Sequence, residues 1–177
     1  SNNEVGTLQP IARLAQMAHR AGVLFHTDAA QSPGKVAVNV DELGVDLLSI
    51  AGHKLYAPKG VGALVIRGGV ELSGVLHGAG QEAGRRPGTE NVLEIAGLGK
   101  ACEVARRDLA KNSVRFKEMR DRLHWALLDE LGDEAVQMNG HPEQRLPNTL
   151  SLSFRGVEAN TLLAEIGEQV AASAGAA

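Results

Sequence analysis

The sequence predicts an α/β protein: part of a mostly parallel, open sheet with helices on both faces, followed by part of a small α+β domain. Three observations predict it. A helical stretch leads into an apolar run, a crossover-length segment and a second apolar run; both apolar runs turn polar at their carboxyl ends; and the hydrophobic period changes after Gly132. At 177 residues, one domain with an appendage is the size expected.

The elements follow in order. Pro10 opens a stretch in which Ile11, Leu14, Ala15, Ala18 and Ala21 recur at helical spacing up to Gly22, as in a helix with proline in its first turn and glycine past its end. Residues 23–28 form an apolar run that ends in His26-Thr27-Asp28, and residues 45–51 repeat the pattern before Gly52-His53-Lys54. Both read as buried parallel strands with polar tips. Residues 29–44 between them suffice for the dozen or more residues that a parallel crossover needs. Residues 62–67 give a third strand. The glycine-rich residues 68–88 read as a loop closing on Arg85-Arg86-Pro87-Gly88-Thr89-Glu90-Asn91, and a loop of that length inside a compact domain is usually functional.

Helical spacing then runs over residues 92–110 and again over 113–131, the second stretch with Phe116, Met119, Leu123, Ala126, Leu127 and Leu131 on one side. Beyond Gly132, residues 136–138, 149–154 and 170–173 read as short strands and 158–168 as a helix. The expected domains are therefore 1–131 and 132–177. Helix, strand, crossover and strand make the second half of a doubly wound sheet, because three strands fall short of the usual five or six. The chain is accordingly expected to be the central part of a longer protein.

Composition excludes several classes of function. No apolar run approaches the ~18 residues that a membrane helix needs, so no membrane partner is expected. Lys+Arg 18 against Asp+Glu 21 gives a net charge of -3, without the basic excess of a nucleic-acid surface. The single cysteine, Cys102, permits no internal disulfide or zinc cluster, which makes a reducing cytoplasm the expected compartment. Beside apolar helical neighbours it is expected to be a buried, inert thiol. Aromatics are 3% while Gly is 21 of 177, so chemistry is sought in small-residue loops rather than in aromatic pockets.

Ligands of open α/β sheets sit beyond the carboxyl ends of the strands. The tips here carry His26-Thr27-Asp28 with Gln31, and Gly52-His53-Lys54. A carboxylate at one tip and a lysine at the other are what a pyridoxal phosphate site needs: an acid to keep the pyridine nitrogen protonated and an amine to bond the aldehyde. Gly52 would let the backbone approach the cofactor, and His53 with the Thr89 loop would donate hydrogen bonds to its phosphate. Taken singly, Asp28 is equally a turn residue, Lys54 a solvated lysine and His53 a loop histidine. His26, Asp28, His53 and His77 could alternatively be assembled around a metal, though their spacing matches no ligand pattern. Ala57-Pro58-Lys59-Gly60 lacks the glycine and the Ser/Thr of a phosphate-binding Walker loop.

Five blocks in order then carry a resemblance. They are Ser1-Asn2-Asn3-Glu4-Val5-Gly6-Thr7; His26-Thr27-Asp28-Ala29-Ala30-Gln31; Gly52-His53-Lys54-Leu55-Tyr56-Ala57-Pro58-Lys59-Gly60; Gly80-Gln81-Glu82 with Arg86-Pro87-Gly88-Thr89-Glu90-Asn91; and Arg145-Leu146-Pro147-Asn148-Thr149. Together they resemble the cysteine desulfurases, pyridoxal-phosphate enzymes of the class V aminotransferase group with the fold-type I transferase architecture. The resemblance implies a homodimer that takes sulfur from L-cysteine, leaves L-alanine, and passes an enzyme persulfide to a sulfur-acceptor protein for iron–sulfur cluster and thiocofactor synthesis. It implies that Lys54 bonds the cofactor, Asp28 partners the pyridine nitrogen, Asn3 and Gln31 contact the ring-hydroxyl side, His53 binds the phosphate, and Thr89 reaches the phosphate held by the other subunit. No metal is expected.

The departures bear on the same site. The family commonly has a phosphate-binding serine where this chain has Ala51, and selenocysteine lyases tend to be apolar there, which makes a selenocysteine lyase-like enzyme the alternative. The ring-stacking histidine and first phosphate loop are expected upstream of Ser1, the nucleophilic cysteine just beyond the Ser173–Ala177 pattern, and the carboxylate-binding arginine further on. A chain without them is expected to be a non-catalytic fragment by itself.

Overall fold

The computed structural model describes residues 1–175; Ala176 and Ala177, the end of the Ser173–Ala177 pattern, lie outside the described residues. The chain forms two compact units, Pro10–Asp108 and a second made of Ser1–Gln9 with the residues from Leu109 onward.

In the first unit, α1 spans Ile11–Arg20, capped at its start by Pro10 and followed by Gly22 at φ +69°. That left-handed glycine turns the Gly22 and Val23 amides back onto the His19 and Ala18 carbonyls, which satisfies the end of the helix. The cap consumes the first residues of the expected strand, so β1 is only His26–Asp28. Val23 and Leu24 are exposed. Phe25 meets Asp46 instead: its amide donates to the Asp46 carboxylate at 2.7 Å and its carbonyl accepts from the Asp46 amide at 2.9 Å.

The crossover contains a short α2, Val40–Leu43, with the Asn39 side chain accepting from the Asp41 amide and Gly44 left-handed at φ +64°. It returns the chain to β2, Leu47–Ala51. The pairing of β1 with β2 is parallel, His26 against Leu47, Thr27 against Leu48 and Asp28 against Ser49, as the crossover length predicts. β3, Gly62–Ile66, pairs with β2 antiparallel, and the sheet order is β1-β2-β3. The connection from β2 to β3, residues 52–61, is too short for a parallel crossover, so the chain must return antiparallel. Ala15, Ala29, Val45 and Leu48 form the buried core, with Ile11, Phe25, Val38, Val40, Leu43 and Ile50 packed on it.

One continuous helix, α3, runs from Val92 to Leu131, where two helices were expected. The supposed break at Ala110-Lys111-Asn112-Ser113 contains no glycine or proline, and asparagine and serine are weak helix formers rather than breakers. The residues of α3 up to Asp108 belong to the first unit and those from Leu109 to the second. The second unit also holds β4, Val136–Met138, paired antiparallel with β5, Leu152–Phe154, and α4, Ala159–Ile166. The strand expected over 170–173 does not form, because the amides of Gln169 and Val170 turn back onto the Ile166 carbonyl. Cys102 is exposed, contrary to expectation: its apolar neighbours in sequence lie on other sides of α3. No helix among the described residues is long and apolar enough to cross a membrane.

Asp46 ties this framework together. Its Oδ2 accepts from His19 Nε2 at 2.7 Å as well as from the Phe25 amide, which joins the end of α1 to the start of β1 and β2. Those two bonds hold its carboxyl below the ordinary carboxylate value, the His19 bond first. A depressed carboxyl stabilises the fold fully above its unfolded pKa of about 4 and progressively less as pH falls toward the folded value. Asp46→Asn is therefore expected to lower the thermal midpoint at neutral pH and to flatten the loss of stability on acidification, as measured by circular dichroism melts across pH. A variant with the wild-type acid profile would contradict this.

Candidate functional site

The site is built on the carboxyl ends of β1 and β2. Asp28 ends β1 and lies in register with Ser49, and the Ala29 amide donates to the Ser49 carbonyl at 3.0 Å. Asp28 itself is exposed. Its Oδ1 accepts from the Ala30 amide at 2.8 Å, so it does form the turn that its residue type suggests, while Oδ2 remains available. Gln31 follows in the same turn, half-buried, with Oε1 3.4 Å from the Lys35 ammonium.

β2 runs two residues beyond Ser49 and passes into a short 3₁₀ turn, Gly52–Leu55, that carries His53 and Lys54, both exposed. Tyr56 closes the turn in the left-handed conformation at φ +63°. Leu55 is buried beneath it, an anchor that leaves Lys54 on the outer side. Gly52 has a packing reason: a Cβ there would stand 2.6 Å from the Val61 carbonyl oxygen. The following loop is braced by α3, where a Cβ on Gly97 would stand 2.9 Å from the Pro58 ring.

Lys35 is a member of this neighbourhood that sequence reasoning missed. Burial first, and the Lys54 ammonium second, push its amine below the ordinary lysine value. The only signal in the sequence was its helix-like spacing of four from Gln31. Gln31 and Lys35 are thus neighbours, and the Lys54 charge is felt at Lys35. Thr89 is exposed in a loop that Arg86 gathers, with Nη1 donating to the Gly88 carbonyl at 2.8 Å and the Gln81 side chain accepting from the Gly88 amide at 3.1 Å. Glu82 and Ala83, at φ +50° and +55°, hold this loop in left-handed backbone that non-glycine residues rarely adopt. Asn3, exposed, belongs to the other compact unit.

His26 bonds Ser49 Oγ at 3.2 Å, and no group of three histidine, cysteine, aspartate or glutamate side chains among the described residues converges as a metal site. The cavity of about 220 Å³ beside β2 opens at its amino end, near Val40, Asp46 and Arg67, and includes none of the tip residues. The tips instead present an open polar surface: a carboxylate with one oxygen to spare, an exposed primary amine, an imidazole and an amide. That donor set fits pyridoxal phosphate, with an acid for the ring nitrogen, an amine for the aldehyde and donors for the anionic substituents.

Because a carbonyl cannot yield to a methyl group at 2.6 Å, Gly52→Ala is expected to cost about 1–3 kcal/mol, the usual penalty of overpacking. Urea unfolding measures it, and a variant as stable as the wild type would show that the turn is not held in this way.

The model of the aminotransferase class-V family matches residues 1–177. A cysteine desulfurase of Gluconacetobacter diazotrophicus is 47% identical over 100% of this chain and 44% of its own length. Among solved structures, a NifS-like protein superposes with a TM-score of 0.88 at 36% identity, covering 95% of this chain and 46% of that one. SspA in complex with cysteine gives 0.70 at 33% identity, over 96% of this chain and 45% of that one. The chain thus spans about half the length of the relatives it matches. With the family model matched from end to end and the fold shared, the chain belongs to the aminotransferase class-V family, whose members depend on pyridoxal phosphate.

Proposed function

We propose that this chain supplies the cofactor-bonding half of a cysteine desulfurase, acting on L-cysteine. The observation that carries the reading is the register of β1 against β2, which opens Asp28 and the turn bearing His53 and Lys54 on the same edge of the sheet. The similarity to cysteine desulfurases over the whole chain supports it, as does the cysteine held by one structural relative.

Bound pyridoxal phosphate supplies an electron sink for the α-carbon of an amino acid. Asp28 would hold the proton at the pyridine nitrogen. Gln31 would donate to the ring-hydroxyl side, a role that the family resemblance also gives Asn3, and His53 would donate to the phosphate. Lys54 would bond the cofactor aldehyde and would serve as the base at the substrate α-carbon. Thr89 reaches the phosphate bound by a second copy, so the working form is a homodimer. The thiolate that the family resemblance implies would attack the substrate sulfur, the C–S bond pair staying with the carbon that becomes alanine, and the persulfide sulfur would pass to an acceptor protein in the cytoplasm. Ala51 offers no hydroxyl beside His53, which leaves the phosphate one donor fewer.

Two amines stand near the tips, and Lys35, with its lowered pKa, is the competitor for the aldehyde. Addition of pyridoxal phosphate followed by borohydride, with peptide mass spectrometry, is expected to find the adduct on Lys54. Lys54→Ala is expected to abolish it while leaving the melting temperature unchanged, since the side chain is exposed. An adduct on Lys35 or Lys59 with Lys54 unmodified would overturn the assignment.

A further inference from the structure

Lys35 enters the reading above only as a rival amine, yet the fold fixes it beside the turn that Asp28 opens, within the unit that carries both strand tips. The Ser32 amide donates to the Ala29 carbonyl at 2.9 Å, and the amides of Lys35 and Val36 donate to the Ser32 carbonyl at 3.1 and 3.0 Å. The segment therefore winds in helix-like turns, which bring residues four apart, Gln31 and Lys35, to the same side. Gly34, left-handed at φ +77°, closes the winding where a Cβ would stand 3.3 Å from Leu55 Cδ2 and 3.2 Å from Ala105 Cβ. Leu55 is the buried anchor of the turn that bears Lys54, so one side chain backs both segments.

Lys35 is half-buried, and its surroundings oppose its charge, burial first and the Lys54 ammonium second. What its ammonium meets is Gln31 Oε1 at 3.4 Å. The bond is long, but it is selective, because an ammonium has three donors and no acceptor. Of the two ends of the Gln31 amide only the oxygen can face Lys35. The other end, Nε2, is therefore the one left to donate elsewhere. A carboxamide without such a neighbour is free to turn over and present its oxygen, which repels an anionic ring oxygen instead of binding it.

We propose that Lys35 is a positioning residue of the cofactor site: its ammonium holds Gln31 Oε1, so that the amide nitrogen of Gln31 is the end presented to the ring-hydroxyl side of pyridoxal phosphate. This rests on the role given to Gln31 above. Lys35 itself touches neither cofactor nor substrate.

The test follows the visible absorbance of the bound cofactor against pH in the wild type, Gln31→Ala, Lys35→Met and the double variant, with circular dichroism as the check on folding. Gln31→Ala is expected to raise the spectral pH midpoint by about one unit, because an anionic ring oxygen that loses a donor holds its proton to higher pH. Lys35→Met raises it by a smaller amount, and the double variant raises it no further than Gln31→Ala alone. A shift in Gln31→Ala with none in folded Lys35→Met overturns the inference and leaves the functional reading intact. Equal shifts from Lys35→Met with and without Gln31 overturn it as well, since they show the Lys35 charge acting on the site directly. No shift in Gln31→Ala overturns the role of Gln31 and the inference together, while the adduct on Lys54 still stands for the cofactor reading. A protein that takes up no cofactor overturns both readings. Should Lys35→Met not fold, Lys35→Gln, whose amide accepts as well as donates and so lets Gln31 turn over, is expected to give a smaller shift of the same sign, and its absence is equally decisive against the proposal.

Discussion

The parallel ladder between β1 and β2 is the constraint on which the remaining structure depends. His26, Thr27 and Asp28 meet Leu47, Leu48 and Ser49 in order, so both strands reach their carboxyl ends on one edge. A slip of a single residue would exchange the faces: Thr27, now buried, would point outward, and Asp28, now exposed, would enter the core beside Leu48. The register is held from the opposite end by Asp46, whose carboxylate grips His19 and the Phe25 amide. It is held from the side by Arg67 at the end of β3, which donates to the carbonyls of Val45 and Val40 at 2.9 and 2.8 Å. Interactions at the amino ends of the strands therefore set the alignment that chemistry at the carboxyl ends requires.

That chemistry is grouped by local devices that need little core. Asp28 spends one carboxylate oxygen on its own turn and keeps the other, and a turn anchored by buried Leu55 and spaced by Gly52 leaves Lys54 outside. The proximity of Lys35 and Lys54 concentrates positive charge beside the tips. An anionic ligand relieves that repulsion, and a phosphate ester with a phenolic ring oxygen is such a ligand.

Much of this was legible in the residues. The alternation from apolar to polar at residues 23–28 and 45–51 located both tips, and the length of the crossover gave the parallel pairing. What was not legible depended on competition among backbone bonds. The start of β1 was lost to the cap of α1, where Gly22 and Val23 turn back, and the strand at 170–173 was lost to the carbonyl of Ile166. The gap between two helices was read from weak formers at 110–113, yet without a breaker the ladder simply continues through them. Cys102 was misplaced because helical periodicity fixes a residue's direction only once the covered face is known. Lys35 escaped notice because its link to the tips is the charge of Lys54, which no local pattern announces.

The central claim is that the tips of β1 and β2 form one cofactor site in which Asp28 keeps the ring nitrogen protonated. Magnetic resonance of pyridoxal phosphate labelled with nitrogen-15 in the ring tests it most directly, in the chain extended to the length of its relatives and in its Asp28→Asn variant. The account predicts a protonated pyridine nitrogen in the first and an unprotonated one in the second, with the cofactor bonded to Lys54 in both and α-proton chemistry sharply reduced in the variant. An equally protonated nitrogen and unchanged turnover in Asp28→Asn would contradict it.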